Sequence, residues 1–149
     1  MSIQTEVNEQ IKTAMKAKDT VSLEALRALK SAFLLANTSG THVSLSEADE
    51  LKIVQKLVKQ RQDSAAIYSE QGRADLADPE LAQAKVLEKF LPMQMSEAEL
   101  TIAIQAIINS SGANSIKDMG KVMGLASKDL AGKADGKSIS EVVKKLLSV

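Results

Sequence analysis

Apolar residues recur at steps of three and four along almost the whole chain, and an α-helix turns such steps into one continuous face. Ile3, Val7, Ile11, Ala14 and Met15 share an arc of a first helix predicted over about residues 2–17. Asp19 or Thr20 caps a second, to about Asn37, carrying Leu23, Leu26, Leu29 and Phe33. Ser46 with Asp49 three places on opens a third, over about 47–71, which Gly72 closes. Asp78 followed by Pro79 reads as the N-cap and first-turn proline of a fourth, stopped at Pro92. A capping box at Ser96 precedes the stripe Leu100, Ala103, Ile104, Ile107 and Ile108. A sixth helix is predicted over about 115–128, and the loop from Gly132 to Gly136 delivers a last one bearing Ile139, Val142, Val143, Leu146 and Leu147. With two Pro, one Tyr, two Phe and no Trp, the chain favours helix over sheet, so the predicted class is all-α.

The stretch from Leu91 to Met95 is the expected boundary between an N-terminal helical domain, residues 1–92, and a three-helix tail domain, residues 93–149. The tail is near the size at which one core becomes marginal, so it is expected to lean on the first domain. Met93, Met95, Met119 and Met123 read as pliable packing between the two. Nineteen basic residues balance nineteen acidic ones, which excludes an overall basic coat; an electrostatic partner must be met by a local patch. The absence of Cys and the single His42 exclude a thiolate zinc site and a Cys nucleophile, and disfavour a Ser-His-Asp triad. His42 itself reads as a solvated loop residue. No catalytic pair of carboxylates is distinguished, and neither metal nor cofactor is expected. The longest apolar run, Ala32 to Ala36, is too short for a membrane span, and the first residues lack the pattern of a signal peptide; a cytoplasmic protein is expected.

The candidate binding residues are lysines. At helical spacing Lys117, Lys121 and Lys128 fall on one face of the sixth helix, opposite Met119, Val122 and Met123, and Lys133 and Lys137 follow in the next loop. Such a face is either ordinary solvated surface or a patch for a phosphate backbone. Without Arg or clustered aromatics nearby, the recognition it offers is of shape and backbone, not of base edges. Gly120 and Gly124 lie side by side on the same helix, each at a cost in helix propensity that the close approach of another helix, or of a ligand backbone, would offset. Gly132-Lys133-Ala134-Asp135-Gly136-Lys137-Ser138 ends like a phosphate-binding loop, but the glycine spacing is wrong and the required strand is missing; a turn with Asp135 capping the last helix explains it. A second stripe, Lys52, Lys56 and Lys59, reads as solvated face. Arg61 falls on the apolar arc of the third helix among Leu51, Val54, Leu57, Val58 and Ala65, which implies either an interior ion pair or a contact at a junction. Lys30, between Leu23 and Leu26 on its helix, poses the same choice.

Several spans, taken in order, resemble the YqeY family: Leu26-Arg27-Ala28-Leu29-Lys30-Ser31-Ala32, Val58-Lys59-Gln60-Arg61, Gly72-Arg73-Ala74-Asp75-Leu76-Ala77, Phe90-Leu91-Pro92-Met93-Gln94, Lys117 to Gly124, and Gly132 to Lys137. The family is similar to the tail of the B subunit of the glutamine-dependent aspartyl/glutamyl-tRNA amidotransferase, GatB. The resemblance implies a helical domain followed by a three-helix tail. It also implies tRNA as partner, together with a protein of amidotransfer or translation, and carbon-nitrogen ligase activity with glutamine as amide donor by inheritance. In that enzyme the tail helps hold tRNA while the chemistry occurs in a separate catalytic domain, to which nothing here is similar. The alternative is a protein-interaction adaptor acting through the Met-rich junction, without RNA binding or catalysis; a freestanding amidating enzyme is third.

Overall fold

The computed structural model describes residues 2–40 and 44–148, which form seven α-helices and one 3₁₀ turn with no strand among the described residues. The chain divides into two compact units, Met1–Leu91 and Pro92–Val149. His42 lies outside the described residues.

The first unit contains α1 (Ile3–Ala17), α2 (Thr20–Thr38), α3 (Glu47–Glu70) and α4 (Ala74–Glu88). The Ser2 hydroxyl accepts from Thr5 N–H, the Asp19 carboxylate from Ser22 N–H, and Ser46 and Asp49 close a reciprocal capping box. These bonds satisfy donors that a helix start otherwise leaves to water. Lys18, at φ 55°, makes the left-handed turn between α1 and α2. The apolar arcs meet in one core of Val7, Leu26, Leu29, Phe33, Val54 and Leu87, each at most 2% exposed. Glu50 on α3 is the one buried charged residue described, and its carboxylate accepts Gln4 N–H (3.1 Å), so a negative charge meets the positive end of the α1 dipole.

The fourth helix has Arg73, not the expected Asp78, at its N-cap, so it begins five residues early and Pro79 lies inside it. The reason is local. Gly72 at φ 71° turns the chain, Arg73 N–H bonds Tyr68 O, and the added turn buries Ala77 and places Asp75 near the helix start. Pro79 forfeits a bond to the Asp75 carbonyl, but Asp75 is exposed and water can serve that oxygen.

The second unit contains α5 (Glu97–Ser111), a 3₁₀ turn (Ile116–Asp118), α6 (Met119–Asp129) and α7 (Gly136–Leu147). The sixth predicted helix therefore starts as a tighter turn, with Lys117 in it. Leu100, Ile104, Val122, Ala126, Ile139 and Val143 form the centre of this unit's core. Met95, Met119 and Met123 pack against that core, whereas Met93 is 92% exposed. Met95, Met119 and Met123 thus fill gaps within the three-helix unit.

Candidate nucleic-acid interface

Lys117, Lys121, Lys128, Lys133 and Lys137 are all exposed. Three devices position them. The Asp118 carboxylate accepts Asn114 N–H (3.0 Å), bracing the 3₁₀ turn that carries Lys117. On α6, Lys121 Nζ donates to the Ser111 carbonyl (3.0 Å), satisfying an acceptor at the end of α5. Lys121 is therefore partly a helix-end clamp, a role the helical wheel does not reveal. The third device holds the loop after α6. Gly132, at φ 78°, makes a turn closed to other residues without strain; Gln94 Nε2 donates to its carbonyl (2.7 Å), and Lys133 exchanges backbone bonds with Leu130 and Met95. Ala134 is buried, so the backbone on either side of Lys133 is fixed while its ammonium faces water. Asp135 then caps α7 through Ser138 N–H (3.2 Å), as the turn-and-cap reading requires.

The unit as a whole carries seven lysines against six carboxylates, and the excess lies after residue 115, where all seven lysines meet four of the carboxylates. Residues 116–149 hold seven lysines, and no ion pair among the described residues involves any of them. The two ion pairs present, Lys12 with Glu9 and Arg73 with Asp75, belong to the first unit. Asp118 and Asp135 are engaged with backbone donors instead. Lys144 and Lys145 on α7 extend the exposed cationic set; sequence reading left them out because they belong to no stripe with Lys117, although the excess of lysine over acid in the segment signals them.

Gly120 and Gly124 correct a second expectation. No atom approaches within 4 Å of a Cβ built at either position, so no helix packs closely there among the described residues. Both remain exposed on the helix that carries Lys121 and Lys128.

Arg61 is corrected too. Its Nε donates to Gln83 Oε1 (3.0 Å) and a terminal nitrogen to Leu57 O (3.3 Å), with no carboxylate in ion-pair range. Gln83 in turn donates to Glu24 (3.0 Å). The guanidinium is half-buried and relayed through a neutral amide, which avoids desolvating an opposite charge beside it. Lys30 is exposed and borders a cleft between α1 and α2. Lys52, Lys56 and Lys59 are exposed, as a solvated face requires. Among the described residues no group of His, Cys, Asp and Glu is arranged to hold a metal, and no helix is long and apolar enough to cross a membrane.

A family model described as "Yqey-like protein" matches residues 4–147. Altered inheritance of mitochondria protein 41, mitochondrial, of Meyerozyma guilliermondii is 34% identical over 84 residues, 54% of this chain and 42% of that protein. The protein of the same name in Clavispora lusitaniae is 30% identical over 107 residues, 70% of this chain and 61% of that one. The chain spans about half the length of the curated relatives it matches.

Proposed function

The chain belongs to the YqeY family, and from that premise we propose that it is a tRNA-associated protein whose second unit binds the RNA backbone. The observation that carries this is the set of seven exposed lysines within residues 116–149, none of them in an ion pair among the described residues, while two of the segment's four carboxylates, Asp118 and Asp135, are bonded to backbone donors. Lysines without partner carboxylates retain their full attraction for phosphates, and binding releases the counterions condensed on the RNA. Lys133 supports the reading further, because a cation on a fixed loop loses less freedom on binding. The family's likeness to the amidotransferase tail sets the context as tRNA amidation or translation, with the ligase chemistry belonging to a partner and not to a residue of this chain. Residence in the cytoplasm is part of the same proposal; the two relatives above are mitochondrial by name.

Filter binding of the full chain to tRNA across a salt series tests it. If about three to five phosphates are engaged, log affinity falls against log salt with a slope of roughly −2 to −4. Lys117→Glu with Lys128→Glu should flatten that slope, and these positions leave the Lys121 clamp untouched. An unchanged isotherm for the double variant, or no binding at low salt, overturns the proposal.

A further inference from the structure

The first unit carries an opening that the RNA reading does not use. Between α1 and α2 lies a cleft of about 120 Å³, floored by Val7 and Phe33 and walled by Leu34. Gln4 and Asn37 close one end through a 3.0 Å hydrogen bond between their amides. Lys30 stands on the rim and is the one charged side chain lining the cleft. Neither the Lys30 side chain nor that of Arg27, one turn earlier on α2, makes a hydrogen bond or ion pair with any described residue. On α1 the nearby carboxylates are already engaged, Glu6 with Gln10 and Glu9 with Lys12.

Arg27, Lys30, Leu34 and Asn37 fall at steps of three, four and three, and so form one line along α2. Leu34 is 63% exposed, an apolar position on a line that begins with two cations. We propose that this cleft docks an acidic segment of a partner protein, which inserts one branched aliphatic side chain over Val7 and Phe33 and places carboxylates on Lys30 and Arg27.

Size and charge choose this occupant. An apolar cavity of ~150 Å³ admits benzene, so the cleft accepts one aliphatic side chain and little more. The line from Arg27 to Leu34 extends about 10 Å at helical rise, which a peptide spans and a small carboxylic acid does not. A sugar-phosphate backbone would leave Leu34 uncovered, and two cations neutralise too few phosphates to hold it. Asn8 is exposed beside the cleft, and its side-chain amide, without a partner among the described residues, offers a donor and an acceptor to a peptide backbone.

The experiment is an amide NMR titration of the full chain with a panel of acetylated, amidated peptides. Each carries one Leu, Ile or Val anchor flanked by Glu, beside a matched panel with Lys in place of Glu. Acidic peptides should shift Val7, Asn8, Lys30 and Leu34, and Arg27→Glu with Lys30→Glu should weaken them by about tenfold while strengthening the Lys panel. Both substitutions are at exposed positions and leave the lysines of residues 116–149 intact, so tRNA binding reports separately on the other unit. No shift by any acidic peptide, equal binding of the two panels, octanoate saturating the same amides as tightly, or duplex RNA shifting them would each overturn the docking site.

Discussion

Arg61 carries its charge to the edge of the first core, and what it meets there decides what its loss should cost. A carboxylate stranded in the interior would make Arg61→Ala cost about 3 kcal/mol or more. Gln83, half-buried and also bonded to Glu24, can turn to water instead. Arg61→Ala is therefore expected to lose about 1 kcal/mol in urea melts, a hydrogen bond and some stem packing, with Gln83→Ala similar and the pair less than additive. The helical wheel located the side chain on the apolar arc, but the identity of its partner depends on where α4 lies, and no spacing within α3 contains that. Lys121 teaches the same lesson. Its exposure was legible from one helix, whereas its bond to Ser111 needs the end of another.

Elements were the most legible level, because caps and apolar steps are local. Asp19, Ser46, Ser96 and Asp135 cap the helices that their sequence positions indicate. The start of α4 was not legible, since Asp78-Pro79 mimics a helix start and the true one depends on burying Ala77 against the rest of the unit. At Gly124 propensity says only that something should offset the glycine, and among the described residues no helix does so. With open space around it and a helical backbone, Gly124→Ala is expected to raise stability by up to about 1 kcal/mol, measured by thermal melts. The capping box at α3 gives a pH dependence. Hydrogen bonds from the Ser46 hydroxyl and then its backbone N–H hold the Asp49 carboxyl below its ordinary 3.8. Its contribution is thus present above that value and is lost as pH falls through the lowered one. The stability gap between the native chain and Asp49→Ala, from urea melts across pH, should be open near neutrality and close in acid.

Across the whole molecule, the helical class follows from the pattern and composition alone, while the lysines' lack of carboxylate partners became visible only when the ion pairs of the described residues could be placed. Each unit has a core drawn from its own residues. The share of surface that folding removes from water rises with chain length, so residues 92–149 produced alone should melt at a lower temperature than residues 1–91 produced alone. Calorimetry of the two fragments checks this, and the reverse order would show that the smaller core is the better packed. The bonds from Gln94 to Gly132 and from Met95 to Lys133 tie the first residues of the second unit to the loop before its last helix. On a ribosome, this gives synthesis a fixed order of events. While α5 and α6 are already outside the exit tunnel, their apolar stripes have no third wall, and the residues that lock the unit at its entrance have nothing to grip. Folding of this unit is then a late and abrupt event, timed by the emergence of α7, and until that moment its apolar stripes stay open to water.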